Sequence, residues 1–106
     1  MILEKFKLDG KVAIVTGGGR GLGQAAAIGL AEAGADVAVV GSTSTGATAA
    51  KIRKLGRRVL EIQADLLKRD SVQKILDAVI AQLGRVDILV NNAGIIRRAS
   101  VLEFSE

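Results

Sequence analysis

The fold is decided by the stretch Thr16-Gly17-Gly18-Gly19-Arg20-Gly21-Leu22-Gly23. It follows an apolar run, residues 12–15, and opens onto an alanine-rich segment, residues 24–33. This order predicts a strand, a glycine turn and a helix. Glycines at positions 17, 21 and 23 allow positive φ angles, and they bring bare backbone N–H groups close to a ligand at the positive end of the helix dipole. The stretch therefore predicts a pyrophosphate site, and a glycine turn that binds nothing is the alternative.

The spacing of the glycines separates this turn from two common phosphate-binding motifs. A G-x-G-x-x-G fingerprint that starts at Gly17 needs a glycine at position 22, where Leu22 stands. The relaxed register Gly21, Gly23 and Ala26 would start inside the predicted helix. A Walker loop is excluded because no Gly-Lys-Ser/Thr follows the glycines. The spacing present is T-G-x-x-x-G-x-G.

The rest of the chain repeats the alternation of strand and helix. Apolar runs predict strands over residues 12–16, 36–40, 58–63 and 86–90, and helical periodicity predicts helices over residues 21–33, 46–55 and 70–83. Three strand–helix units and a closing strand indicate an α/β fold, with right-handed crossovers and a parallel sheet in the order 3-2-1-4. The first strand should lie at the centre of the sheet and the third at an edge.

Particular residues are expected to shape the helices. Ala25, Ala26 and Gly29 should bring the first helix close to the strands, and Gly34 should form a left-handed C-terminal cap. Asp70 and Gln73 resemble a capping box at the start of the third helix. Six apolar residues predict one buried face on that helix: Val72, Ile75, Leu76, Val79, Ile80 and Leu83.

Composition narrows the classes of function. The 106 residues include no Cys and no His, which argues against thiol chemistry and against a metal site. The net charge is +4, but the basic residues are scattered and only two residues are aromatic, so no nucleic-acid partner is predicted. Because no window reaches the length of apolar chain that a membrane span needs, we expect a cytoplasmic protein without a membrane partner.

The T-G-x-x-x-G-x-G turn, together with Asn91-Asn92-Ala93-Gly94, resembles the short-chain dehydrogenase/reductase (SDR) family. Within the family, residues 2–6, 91–98 and 103–105 are similar to the sugar-acid dehydrogenases, particularly the 2-deoxy-gluconate and 2-dehydro-3-deoxy-gluconate dehydrogenases. The resemblance implies a Rossmann-type fold and an NAD(P)-dependent oxidoreductase. Such an enzyme transfers a hydride between a nicotinamide cofactor and the carbonyl or hydroxyl group of a small ketone or alcohol. The resemblance to the sugar-acid dehydrogenases implies a sugar acid as one such substrate.

The crevice for such a cofactor lies beyond the carboxyl ends of the first and fourth strands. The turn from Gly17 to Leu22 is expected to hold the phosphates. The resemblance implies that Asp65 and Leu66 flank the adenine, and that Asn92, Ala93 and Gly94 run beside the riboses, whereas Asn91 ties neighbouring strands. A loop carboxylate that caps a local amide is the alternative for Asp65. The cofactor-binding residues are thus predicted to be Gly17, Gly19, Arg20, Gly21, Leu22, Gly23, Ser42, Thr43, Asp65, Leu66, Asn92, Ala93 and Gly94.

The choice between NADP and NAD depends on the end of the second strand, where NAD enzymes usually carry an acid. Ser42 and Thr43 stand there, and no Asp or Glu occurs between Asp36 and Glu61. Arg20 lies in the glycine turn, where NADP-using relatives often carry a basic residue, although it could also be a solvated loop cation. We therefore predict NADP. NAD stays open, because many of the sugar-acid dehydrogenases use it.

The family's hydride transfer depends on a Ser, a Tyr and a Lys that follow the fourth strand, and this sequence contains no Tyr. Residues 1–106 are therefore predicted to be the N-terminal dinucleotide-binding half of a Rossmann domain, with the catalytic half absent, no catalytic residue and no activity of its own. A stand-alone nucleotide-binding module, or an engineered half-Rossmann scaffold without catalysis, is the alternative. An uncovered fourth strand would expose apolar surface, so we also expect a homo-oligomer.

Overall fold

The computed structural model describes residues 7–19, 21–41, 45–64 and 70–92. The strands are β1 (Val12–Thr16), β2 (Asp36–Gly41), β3 (Val59–Gln63) and β4 (Ile88–Asn91). The helices are α1 (Gly21–Glu32), α2 (Gly46–Lys54) and α3 (Ser71–Leu83). All strand pairs are parallel and the order is β3-β2-β1-β4, which confirms the predicted sheet.

The centre of the sheet is β1, and all five of its residues are buried. Its side chains alternate between two cores. Val12 and Ile14 face α3, whereas Val15 faces α1 and α2. Burying a Val or Ile side chain contributes about 1.5–3 kcal/mol, so a strand that is apolar on both faces is most stable between two layers of helices.

Helix α1 packs closely on the sheet, and of the three small residues predicted to bring it there only Ala26 does so, half-buried against the core. Gly23, Ala27 and Ala31 are its buried residues, spaced four apart along one face. Ala25 and Gly29 are exposed, so the expectation that they bring the helix close to the strands is wrong. Because α1 is rich in small residues all round, composition alone did not identify the packed face.

The predicted face of α3 is only partly correct. Ile75, Val79 and Leu83 are buried, whereas Val72 is 54% exposed and Ile80 is 53% exposed. The capping box is wrong, because Asp70 makes no side-chain hydrogen bond to the helix N-terminus and instead forms an ion pair with Lys74 at 3.2 Å. Gln73 donates a hydrogen bond to Asp77, which lies one turn further along α3.

The end of α1 and the start of β4 are each set by local backbone geometry. Helix α1 is followed by Gly34 with a φ of 114°, which confirms the left-handed residue predicted after it. Strand β4 begins at Ile88, two residues later than predicted. The reason lies in Asp87, whose N–H donates to the Val12 carbonyl and whose carboxylate accepts a hydrogen bond from the Val12 N–H.

No helix in the described ranges is both long enough and apolar enough to cross a bilayer.

Candidate nucleotide-binding site

The glycine turn joins the carboxyl end of β1 to the start of α1. Gly17 has a φ of 65° and Gly21 a φ of 60°, and both angles lie in the left-handed region that side chains rarely adopt. Nothing lies within 4 Å of the position that a Cβ would take at Gly21. The first turn of α1 contains no acidic residue. An anion placed here would meet the positive end of the helix dipole without repulsion from that turn.

Gly23 is required for a different reason from the one predicted. It lies inside α1 and its φ is not positive, so the expectation of a left-handed backbone at this position is wrong. A Cβ at Gly23 would instead overlap the carbonyl oxygen of Gly17 and come within 3.1 Å of Nδ2 of Asn92. The absent side chain lets α1 pack directly against the turn and against the end of β4.

The end of β4 is fixed to the end of β1. Thr16 and Asn91 are register partners, and the Thr16 hydroxyl donates a hydrogen bond to Oδ1 of Asn91 at 3.0 Å. Asn91 was predicted to tie neighbouring strands mainly through its backbone; it lies in the ladder between β1 and β4, and its side chain adds a hydrogen bond that was not predicted. Asn92 follows and is half-buried beside the glycine turn.

Two residues of this region are missing from the sequence-based site. The N–H of Gly18 donates to the carbonyl of Val40 at 3.2 Å, and the Gly18 carbonyl accepts a hydrogen bond from the Thr48 hydroxyl at 2.7 Å. Thr48 is fully buried in α2. The one available signal was a polar residue four positions before the apolar Ile52, on the same face of a short helix.

The structure brings six of the predicted site residues together at the carboxyl ends of β1 and β4: Gly17, Gly19, Gly21, Leu22, Gly23 and Asn92. The side chain of Leu22 is 73% exposed there. The other predicted residues lie outside the described residues: Arg20, Ser42, Thr43, Asp65, Leu66, Ala93 and Gly94. Their assignments stay predictions.

Asp36 and Glu61, the acidic residues on either side of the acid-free part of the sequence, both have partners in the structure. Asp36 begins β2, at the opposite end of the strand from the glycine turn, and its carboxylate binds Arg58 at 2.9 Å. Glu61 accepts a hydrogen bond from Thr45 at 3.1 Å and pairs with Arg53 at 3.4 Å. Neither carboxylate is left without a positive or hydrogen-bonding partner.

A cleft of about 400 Å³ lies at the other end of the sheet, where β3 begins and α3 ends. Its lining includes Arg53, Arg57 and Arg58. Arg57 donates a hydrogen bond to the Ala31 carbonyl at the end of α1, and Arg53 and Arg58 pair with carboxylates. The glycine turn, and not this cleft, is the candidate nucleotide site, because ligands of parallel α/β sheets bind beyond the carboxyl ends of the strands.

A parallel sheet in the order β3-β2-β1-β4, with helices on both faces and a glycine turn at the switch between β1 and β4, defines a Rossmann-type α/β protein. Residues 11–106 match the model of the short chain dehydrogenase family. The chain belongs to that family.

Curated relatives share about half of the residues. The chain is 51% identical over 106 residues to the 2-dehydro-3-deoxy-D-gluconate 5-dehydrogenase of Escherichia coli (strain K12), and 48% identical over 106 residues to the enzyme of that name from Dickeya dadantii (strain 3937). Each match covers 100% of this chain and 42% of the relative, so the chain spans less than half the length of these enzymes.

Solved structures agree with this assignment. A crystal structure of hydroxysteroid dehydrogenase from Escherichia coli superposes with a TM-score of 0.79 at 37% identity, over 83% of this chain and 38% of that chain. Carveol dehydrogenase from Mycobacterium avium, crystallised in complex with NAD, superposes with a TM-score of 0.77 at 30% identity, over 81% of this chain and 36% of that chain.

Proposed function

We propose that this chain binds the adenosine diphosphate part of a nicotinamide dinucleotide and belongs to an oxidoreductase. The observation that carries the proposal is the turn from Gly17 to Gly23, which combines two left-handed glycines with the N-terminus of α1. Backbone N–H groups at such a terminus bind phosphate without any cationic side chain. The interaction of one negative charge with a helix N-terminus contributes about 0.3–1 kcal/mol at a surface and about 2 kcal/mol where it is partly buried.

The dinucleotide would supply the hydride acceptor or donor, and the chain would bind and orient it. Gly17, Gly19 and Gly21 would lie along the diphosphate, and Asn92 would lie beside a ribose. These 106 residues contain no Tyr and so no proton donor of the kind that the SDR family uses. We therefore propose that they have no activity by themselves. The names of the relatives support a sugar acid as the substrate of the whole enzyme.

We propose NADP as the preferred cofactor. The acids that flank residues 42–44 in the sequence are Asp36, which pairs with Arg58, and Glu61, which is bound by Thr45 and Arg53. A 2′-phosphate at the end of β2 would therefore meet no unpaired acid among these two. NAD is the competing cofactor, because the similar carveol dehydrogenase was crystallised in complex with NAD. That the protein is cytoplasmic stays a prediction.

A stand-alone nucleotide-binding module without catalysis is the second candidate, because a glycine turn at the N-terminus of a helix needs no catalytic residue to bind a phosphate. The two candidates predict the same cofactor affinity and differ only in turnover. A hydride-transfer assay on the full-length protein with a sugar acid therefore separates them. Turnover supports the oxidoreductase, and binding without turnover for any alcohol or ketone supports the module.

Calorimetric titration with NADP, NAD and ADP tests the binding proposal, and Gly21→Val is the informative variant. Valine at a φ of 60° is strained and places a branched side chain where the turn is now open. Gly10→Val is a matched control, because Gly10 has a φ of 79°, has nothing within 4 Å of its Cβ position, and lies at the other end of β1. We expect Gly21→Val to abolish measurable ADP binding and Gly10→Val to retain it. Equal ADP affinity in the two variants would contradict the proposal.

A further inference from the structure

We propose that Thr48 is a positioning residue for the glycine turn, holding one peptide unit of the turn in the orientation that binds phosphate. This inference rests on the proposed function. It adds a residue from α2 to a site that the sequence pattern places only in the turn, β4 and the loops after β2 and β3.

The two backbone groups of Gly18 are both used inside the protein. Its N–H donates to the carbonyl of Val40 at 3.2 Å, and its carbonyl accepts the hydrogen bond from the Thr48 hydroxyl at 2.7 Å. Gly18 is itself buried, and a Cβ there would lie 3.2 Å from the Cβ of Val39. The middle of the turn is therefore held between the end of β2 and the first part of α2.

The consequence for ligand binding follows from the planarity of the peptide bond. The carbonyl of Gly18 and the N–H of Gly19 belong to one trans peptide unit, so they point in opposite directions. Since the Gly18 carbonyl points toward Thr48 in α2, the Gly19 N–H points away from α2. Thr48 thus fixes the direction of an amide that is predicted to contact the diphosphate.

Flanking glycines make this constraint necessary. Gly18 and Gly19, the two residues that this peptide unit joins, have no side chains, so the unit can rotate with little steric resistance when nothing holds it. A preorganised donor binds its ligand more tightly than one that must be ordered on binding. The hydroxyl of Thr48 supplies this order without touching the ligand.

Three variants of the full-length protein test the inference, with ADP as the probe in calorimetry and thermal unfolding measured without ligand. Thr48→Val keeps the shape of the side chain and removes the donor. Thr48→Ser keeps the donor and removes a buried methyl group. Ile52→Val removes a buried methylene one turn further along α2 and leaves the hydrogen bond intact.

We expect Thr48→Val to raise the Kd for ADP about fivefold, the effect of one lost hydrogen bond. Thr48→Ser and Ile52→Val should keep the wild-type Kd within about twofold, although each unfolds at a lower temperature than the wild type. The amide resonance of Gly19 should shift in ligand-free Thr48→Val and stay in place in Thr48→Ser.

A wild-type Kd in Thr48→Val, or an equal loss of affinity in all three variants, would show that Thr48 only stabilises the fold and would overturn the inference while leaving the proposed function intact. A wild-type protein that binds no ADP would overturn both the inference and the proposed function.

Discussion

Gly23→Ala is the substitution that tests the packing of the nucleotide site most sharply. The new Cβ would overlap the backbone carbonyl of Gly17, and it would come within 3.1 Å of Nδ2 of Asn92. A flexible side chain could rotate away from such a contact, but a backbone carbonyl in a turn cannot. The glycine turn would have to move away from the N-terminus of α1.

Two opposing effects set the magnitude of this change. Overpacking of a buried site costs about 1–3 kcal/mol, and an overlap with backbone belongs at the upper end of that range. Alanine is about 1 kcal/mol more favourable than glycine inside a helix. We therefore expect Gly23→Ala to lower the free energy of unfolding by about 2 kcal/mol. ADP affinity should fall by at least about tenfold, because the displaced amides no longer converge on the phosphate.

The matched control is Gly29→Ala, the same substitution six residues later in α1. Gly29 is exposed, and nothing lies within 4 Å of its Cβ position. We expect this variant to gain about 1 kcal/mol of stability and to bind ADP like the wild type. Urea unfolding and ADP calorimetry on both variants provide the comparison. If Gly23→Ala were as stable as Gly29→Ala and bound ADP equally well, the reasoning about the close approach of α1 would be refuted.

Three further predictions concern residues outside the turn. Arg85 and the Val12 N–H lower the pKa of the Asp87 carboxyl below its ordinary value of 3.8, so the stability that Asp87 provides is present above pH 3.8 and is lost as the pH falls below it. In urea unfolding, the difference in stability between the wild type and Asp87→Asn should therefore become smaller below pH 3.8. A difference that does not change with pH would contradict this prediction. Leu89 is 63% exposed on β4, so Leu89→Lys should reduce self-association in sedimentation, and a monomeric wild type would rule out the predicted oligomer. Arg58→Ala should cost less than about 1 kcal/mol in urea unfolding and leave the Kd for ADP unchanged, because its ion pair is exposed; a larger loss would show that the pair is more than a surface contact.

Much of the fold could be predicted because the signals for β1 and its turn are local. A short continuous apolar run that ends at glycines is typical of a strand covered on both faces, and five glycines within eight residues are more than an ordinary turn needs. The sheet order followed from the alternation of strands and helices. None of these inferences required knowledge of which side chains meet.

The errors lie where the packing partner decides the outcome. Gly23, Ala27 and Ala31 face the sheet, and nothing in an alanine-rich helix distinguishes them from Ala25 or Gly29 before the partner is known. In α3 the apolar face is wider than the surface that the rest of the protein covers, so Val72 and Ile80 are exposed. Periodicity gives the angular position of a residue on a helix, but not the width of the covered surface.

The site shows the same division. The left-handed conformations at Gly17 and Gly21 were expected from the motif, since only glycine adopts them without strain. The role of Gly23 was predicted for the wrong reason, because it depends on the path of the turn and on the contact with Asn92. Thr48 was missed because its hydrogen bond to Gly18 joins segments that are distant in sequence. The assignments of Arg20, Ser42, Thr43, Asp65, Leu66, Ala93 and Gly94 stay predictions.

The most direct measurement is a titration of the isotope-labelled full-length protein with ADP, followed through its backbone amide resonances. The amides of residues 17–23 should shift first and furthest, and the same titration with adenosine, which has no phosphate, should leave them nearly unchanged. The opposite result would be a response concentrated at Arg53, Arg57 and Arg58 in the cleft at the other end of the sheet, with the glycine turn unaffected. That outcome would show that the turn does not bind the diphosphate.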